Sequence, residues 1–184
     1  MKTKILSQNL LESFSDLRQI IAFSVISILS FCVPFTLGQP QWLVGTIVNA
    51  CLFLGAIYLP KKYFILLAIL PSLGILSRGL IFGQLTIFLV YFLPFIWLGN
   101  LILMIVFSRL IRANKPMSFF YGVAGSALAK FLFLFILANI YFNLEIVPEL
   151  FLTAMGLNQL ATALTGGIIA FIVFKIRNLK AFKN

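Results

Sequence analysis

Lys130 is the side chain in this sequence whose position most clearly needs a chemical explanation. It is the only charged residue in the apolar run 117–142, which is long enough to cross the roughly 30 Å hydrocarbon core of a membrane. Counting about 1.5 Å per helical residue, Lys130 lies about 21 Å in from Leu144, just beyond one end of this run. An ionisable group at that depth costs a few kcal/mol and normally faces a partner or water. Lys130 is therefore the first candidate for a binding residue.

Polar side chains on two other apolar runs reach similar depths. Asn100 and Thr162 lie about 21 Å from the corresponding ends of their helices, and Trp97 and Asn158 lie about 15 to 16 Å from those ends. Three helices can therefore bring polar groups to the level of Lys130.

The last apolar run carries its polar residues as one stripe. Asn158, Thr162 and Thr165 recur at i, i+4 and i+7, with Gln159 beside them. One interpretation is a polar pocket between the fourth, fifth and sixth runs that opens outward. The alternative is interhelical hydrogen bonding that holds the bundle together without any ligand.

The pocket interpretation predicts the chemistry of the ligand. A cationic Lys130, with Arg78 near the outer mouth, would favour a carboxylate or another electron-rich group. Trp97 would stack on a planar ligand, although plain packing is the commoner role for tryptophan in an apolar helix. The candidate substrate-binding residues are Arg78, Trp97, Asn100, Lys130, Asn158, Gln159 and Thr162.

Composition excludes several catalytic and metal sites. The chain has no histidine, so a Ser-His dyad and histidine-based metal sites are impossible. Asp16 is the only aspartate and lies outside the apolar runs, so an aspartyl protease dyad within the membrane is absent. No glycine is followed by lysine, which rules out a Walker A loop. We therefore expect no catalytic residue, metal or cofactor, and any energy for transport must come from other subunits.

Ser126 and Lys130 leave one enzymatic alternative open. Their i, i+4 spacing resembles a serine/lysine nucleophile pair in which the lysine acts as base. Such spacing arises easily by chance, and no oxyanion-hole element accompanies it. Two alternatives to a binding protein therefore stay open: a small membrane-embedded enzyme acting on lipid or peptide, and an accessory membrane subunit without a ligand.

The elements that position these residues are predicted to be membrane-spanning helices. Hydrophobic residues make up 62% of the chain and charged residues 10%, against roughly 25% charged in an average soluble domain. The apolar runs are continuous rather than alternating, which favours helices over barrel strands. The sequence predicts an all-α polytopic membrane protein with six transmembrane helices at 20–37, 42–59, 63–80, 85–108, 117–142 and 150–174.

The first span follows a distinct N-terminal segment, residues 1–19. Its apolar residues Leu6, Leu10, Phe14 and Leu17 recur at helical spacing, which indicates a cytoplasmic or interfacial helix lying on the membrane surface. An ordinary solvated lead-in is the alternative. Residues 20–184 are predicted to form one six-helix transmembrane domain.

Basic residues are distributed unevenly between the two faces of the predicted bundle. One face carries only Arg78, and the other carries Lys2, Lys4, Arg18, Lys61, Lys62, Arg109, Arg112, Lys115, Lys175, Arg177, Lys180 and Lys183. Positive residues are retained on the cytoplasmic side, so both termini are predicted to be cytoplasmic in a multi-pass protein of the cell membrane. The net charge of +10 therefore indicates membrane topology and lipid headgroups rather than nucleic acid.

Four stretches have a recognisable pattern: residues 45–50 (GTIVNA), 71–73 (PSL), 94–100 (PFIWLGN) and 154–167 (AMGLNQLATALTGG). Together they resemble the substrate-binding S components of energy-coupling factor (ECF) transporters. The predicted topology is also similar to that of the family: six spans in under two hundred residues, with both ends inside.

The resemblance implies a vitamin-uptake subunit that captures a small water-soluble micronutrient. In that family the S component partners a transmembrane coupling subunit and two ABC ATPases, and its pocket lies near the outer side between helices four to six. One departure concerns the partner-contact motif of two alanines four residues apart on the first helix. Here Ala22 is followed four positions later by Ile26.

Overall fold

The computed structural model describes the backbone of residues 2–82, 86–111 and 117–181, and the side chains within 16–79, 90–111 and 117–177. The described residues are helical apart from short turns and contain no strand. The helices are α1 (Lys2–Thr36), α2 (Gln41–Tyr58), α3 (Phe64–Phe82), α4 (Thr86–Leu110), α5 (Ser118–Asn143), α6 (Leu150–Met155) and α7 (Leu157–Ala181), with one 3-10 turn at Lys61–Tyr63 before α3.

Six stretches within the described residues are long and apolar enough to cross a membrane. They are Asp16–Thr36, Gln41–Tyr58, Lys61–Gly79, Val90–Leu110, Ser118–Asn143 and Leu150–Arg177. The all-α prediction with six such helices is confirmed. Four residues named in the sequence predictions lie outside the described residues: Leu85, Arg112, Lys115 and Lys183.

The first helix is longer than the predicted span. It runs without a break from Lys2 to Thr36, which is 35 residues or about 52 Å. Residues 2–19 are therefore continuous with the first apolar stretch rather than separated from it by a turn. Their position on a membrane surface stays a prediction.

The last span differs from the single helix predicted for 150–174, because it is divided at Gly156. This residue has φ −94° and ψ −122°, far from the helical ψ of about −42°. A Cβ at Gly156 would contact the carbonyl of Leu152 and lie 3.1 Å from the ring of Phe135. Glycine thus allows a close approach that ends α6 and begins α7.

The six long helices alternate in direction, as two contacts at one end of the bundle illustrate. The guanidinium of Arg177 lies 4.2 Å from the ring of Tyr58, so α7 ends where α2 ends. The rings of Phe23 and Tyr63 are 4.6 Å apart, so the early part of the first span meets the beginning of α3. We call this end, to which Lys61, Lys62 and Arg177 belong, the basic end, and the other the far end.

Two apolar clusters hold the helices together. The larger joins α1, α2, α3, α4, α5 and α7 around the fully buried Leu52, Phe53 and Phe107. The smaller lies toward the far end, where Phe92 of α4 packs 5.4 Å from Phe151 of α6. The short helix α6 therefore belongs to the smaller cluster with α4 and α5.

Candidate ligand site

Lys130 lies in the middle of α5 and is enclosed by the bundle. Its side chain is 3% exposed, and its Nζ donates a hydrogen bond of 2.8 Å to Oδ1 of Asn49 on α2. Asn49 is itself 1% exposed. Among the described residues this is the single hydrogen-bond partner of an ammonium group that has three protons to donate.

A directed chain of hydrogen bonds continues from Asn49 to α7. The amide Nδ2 of Asn49 donates to Oγ1 of Thr162 over 3.2 Å. The Thr162 hydroxyl donates in turn to the backbone carbonyl of Asn158 over 2.7 Å. Because the Thr162 proton is used in this way, its oxygen accepts from Asn49, and the Asn49 carbonyl is left to face Lys130. The three helices α2, α5 and α7 are thus joined by one polar relay.

The relay contains one cation and no anion. The four acidic residues of the chain are Glu12, Asp16, Glu145 and Glu149. None of them falls between residues 17 and 144 or after residue 149, so α2, α5 and α7, the three helices of the relay, carry no carboxylate. The described residues also contain no cluster of three or more side chains that would hold a metal ion.

Small residues bring α2 and α7 close enough for the relay to form. A Cβ on Gly166 would lie 2.7 Å from the carbonyl oxygen of Thr46 and 2.9 Å from the Cβ of Asn49. Beside this contact, the hydroxyls of Thr46 and Thr165 are 2.8 Å apart. Close approach through glycine, with polar contacts across it, is typical of helix pairs in membranes.

Asn100 and Trp97 lie on α4 and are not hydrogen-bonded to the relay. Asn100 is 2% exposed, and its Nδ2 donates over 2.9 Å to the backbone carbonyl of Ala68 on α3. The indole Nε1 of Trp97 is buried without a hydrogen-bond partner within the described part of the chain. The two residues are three positions apart, so they share a face of α4. The hydrogen bond of Asn100 therefore joins α4 to α3 and not to the relay.

Arg78 connects α3 to the end of α1 rather than to the relay. Its Nη1 donates to the carbonyls of Phe35 and Thr36 over 3.1 and 2.7 Å. These carbonyls belong to the last turn of α1 and have no partner within that helix. A Cβ on Gly38 would overlap the Arg78 guanidinium, and Gly38 has φ +62°, which also favours glycine. Arg78 therefore caps α1 at the far end.

The remaining predicted residues lie along the relay. Asn158 and Gln159 are half-buried, and their backbone carbonyls accept from the Thr162 hydroxyl over 2.7 and 3.3 Å. Ser126 donates its hydroxyl proton to the carbonyls of its own helix, at Gly122 over 2.6 Å and at Val123 over 3.2 Å. Within the described residues Ser126 makes no hydrogen bond to Lys130, so the two side chains are not arranged as a hydrogen-bonded serine/lysine pair.

Asn49 belongs to the site but is not among the residues predicted from the sequence. The structure brings together Lys130 and Thr162 of the predicted set, and it does so through this residue. A signal was present, because Asn49 lies near the middle of the second apolar run, as Lys130 lies near the middle of the fifth.

A surface depression lies at the far end of the bundle. Its volume is about 580 Å³, and it is lined by Phe142, Asn143, Glu145, Ile146, Val147 and Pro148. These residues form the connection between α5 and α6. The depression is therefore on the side of the bundle where the predicted outer mouth would be.

Comparison of the chain with protein-family models, curated proteins and solved structures gives no match.

Proposed function

We propose that this chain is the membrane-embedded substrate-binding subunit of an uptake system for a small water-soluble vitamin or related micronutrient. The observation that carries the proposal is Lys130, a buried cation in the middle of α5 that is held by an amide, while α2, α5 and α7 contain no carboxylate. In this proposal the protein binds a solute and catalyses no reaction.

The free-energy cost of Lys130 supports a role beyond packing. A lysine at the centre of a transmembrane helix costs about 2.5–3.5 kcal/mol on insertion scales. An interhelical hydrogen bond in a membrane protein returns about 0.6 kcal/mol on average and about 1.7 kcal/mol at most. Polar contacts that only hold the bundle together, such as Thr46 with Thr165, achieve their effect without a charge. A charge that costs more than it returns supports a functional interpretation.

The proposal includes separate energising subunits. The sequence contains no Walker A loop, so ATP hydrolysis would occur elsewhere. Together with the resemblance to S components of ECF transporters, this supports a complex with a transmembrane coupling subunit and two ABC ATPases. The basic end of the bundle would face the cytoplasm, with both termini there, because positive residues are retained on that side.

Ligand entry in this proposal requires a movement of the helices, since Lys130 is 3% exposed. The short helix α6 is the element best suited to move. It is separated from α7 at Gly156 and packs with α4 and α5 in the far-end cluster. Its displacement would uncover the far ends of those two helices, on the side that we assign to the exterior.

Purification from the native membrane tests the proposal. The tagged chain should co-purify with one further membrane protein and two ABC ATPases, and vesicles containing this complex should accumulate a solute only when ATP is supplied. The variant Lys130→Ala should retain the partner proteins and lose the accumulation. Isolation of the chain without any ATPase, together with no ATP-dependent solute accumulation, would contradict the proposal.

Single-cysteine labelling tests the proposed orientation. In a background without Cys32 and Cys51, a cysteine in place of Lys62 should react with a membrane-impermeant reagent only after the cells are opened. A cysteine in place of Glu145 should react in intact cells. The reverse pattern would contradict cytoplasmic termini.

A further inference from the structure

We infer that the ligand supplies the counter-charge to Lys130 through a carboxylate, and that Asn49 is the residue that sets this specificity. The inference rests on the proposed function and names the class of substrate for the same site. Its basis is that Asn49 positions the ammonium group without neutralising it.

The charge balance of the spans comes first. Lys130 is the only charged residue in α5, and no acidic residue occurs from position 17 to position 144. Glu145 is the nearest acidic residue along the chain beyond α5, and fifteen helical residues correspond to about 22 Å. The chain therefore offers no counter-ion at the depth of Lys130, so an anion there has to come from a bound molecule.

The geometry of the relay determines which groups are available to that molecule. The Asn49 carbonyl occupies one of the three donor positions of the Lys130 ammonium. One Asn49 amide proton is donated to Thr162, and the Thr162 proton is donated to the Asn158 carbonyl. The donors that remain at this point are the other N–H groups of Lys130 and the second amide proton of Asn49, and these recognise an acceptor. A carboxylate acceptor adds an opposite charge to the hydrogen bond with the Lys130 ammonium, and such charge-assisted bonds to carboxylates are among the strongest in proteins.

The number of cations favours a carboxylate over a phosphate. A bound phosphate carries close to two negative charges at neutral pH and three acceptor oxygens, and is normally held by several cations or backbone N–H groups. Lys130 is the single cation in the central part of the apolar runs, because Arg78 lies near the far end and is bonded to the carbonyls of α1. One ammonium with one carboxylate leaves the buried site neutral overall.

Asn49 can be converted into an internal competitor for the ligand. Asn49→Asp has nearly the same shape and places a carboxylate against the Lys130 ammonium. We expect it to supply the counter-charge, to preserve the fold, and to lower the affinity for a carboxylate ligand at least about 10-fold. The matched control is Asn139→Asp, which adds a carboxylate to α5 at a half-buried position nine residues from Lys130 and should change that affinity less than about 2-fold.

The assay compares ligands that differ in one carboxylate. Binding of nicotinate and nicotinamide, biotin and biotinamide, and pantothenate and panthenol is measured on the detergent-purified chain by calorimetry, and native mass spectrometry identifies any metabolite that co-purifies. The bound compound should carry a carboxylate, and the neutral analogue should bind about 10- to 100-fold more weakly, as expected for loss of a hydrogen bond to a charged group.

The possible results distinguish failure of the carboxylate inference from failure of the proposed function. A bound compound that is neutral or cationic, or a neutral analogue that binds within about 2-fold of the acid, would overturn the carboxylate inference and leave the proposed function intact. Full affinity in a folded Asn49→Asp protein would overturn the role of Asn49. If that variant does not fold, the comparison of acid and neutral analogue on the wild type decides. Absence of any bound metabolite, together with no binding of the six compounds, would overturn the proposed function and the inference with it.

Discussion

Replacing both Lys130 and Asn49 by apolar residues is expected to stabilise the protein and, under the proposed function, to abolish the binding of a solute. The variant Lys130→Met/Asn49→Leu keeps the approximate shape of both side chains and removes the charge, its acceptor and their hydrogen bond of 2.8 Å. Thr162 keeps its own bond to the Asn158 carbonyl over 2.7 Å, so its hydroxyl proton stays paired. Replacing both partners of a buried polar pair by well-packed apolar groups is often neutral or stabilising.

The expected gain in stability follows from two opposing terms. Removing a lysine from the centre of a transmembrane helix recovers about 2.5–3.5 kcal/mol. Losing the two hydrogen bonds of the Asn49 side chain, to Lys130 and to Thr162, costs about 1.2 kcal/mol at the average of about 0.6 kcal/mol for each. The free energy of unfolding should therefore rise by about 1–3 kcal/mol. Lys130→Met alone should gain less, because it leaves the buried Asn49 carbonyl without a donor.

Reversible unfolding in mixed detergent micelles, followed by circular dichroism, measures this difference. The matched control is Lys175→Met, which removes an exposed lysine near the end of α7 and should change the free energy of unfolding by less than about 0.5 kcal/mol. A double variant less stable than the wild type by more than about 1 kcal/mol would show that the pair stabilises the fold, and the prediction would be wrong.

Further predictions concern close approaches of the helices and the enzymatic alternative. Gly38→Ala should lower the free energy of unfolding by about 1–2 kcal/mol, because alanine is strained at φ +62° and overlaps Arg78; a thermal melt unchanged from the wild type would contradict this. Gly166→Ala should cost about 1–3 kcal/mol in the same thermal assay by forcing α2 and α7 apart. Gly125→Ala, whose Cβ would meet one flexible side-chain atom at 3.0 Å, should cost less and serves as its control. Ser126→Ala should leave ligand binding within about 2-fold of the wild type, because its hydroxyl is bonded to the backbone of its own helix over 2.6 Å; a large loss would revive a role for the serine in chemistry.

The sequence predicted the spans well because each apolar run must cover a fixed hydrocarbon thickness. The second span was predicted at 42–59 and the helix is Gln41–Tyr58; the fifth was predicted at 117–142 and the helix is Ser118–Asn143. The break at Gly156 was not predicted, since a glycine within an apolar run does not by itself show that a phenylalanine from another helix packs against it.

The contacts within the site were predicted less completely than its depth. Counting along a helix gives the depth of a side chain, and it correctly brought Lys130 and Thr162 to one level. It does not give the rotation of the helix, so Asn100, at a similar depth, could not be distinguished as a residue that contacts α3. Asn49 lies on the second span, outside the last three spans between which the sequence predicts the polar pocket. Arg78 was expected at the outer mouth and is bonded to the end of α1, a contact set by the packing of α1 on α3.

Native mass spectrometry of the detergent-purified chain, wild type beside Lys130→Met, tests whether Lys130 holds a bound solute. The wild type should retain a small solute at about one molecule per chain, and the variant, equally folded by circular dichroism, should retain none. A wild-type protein that carries no solute, or a variant that holds the same solute as tightly, would contradict this prediction.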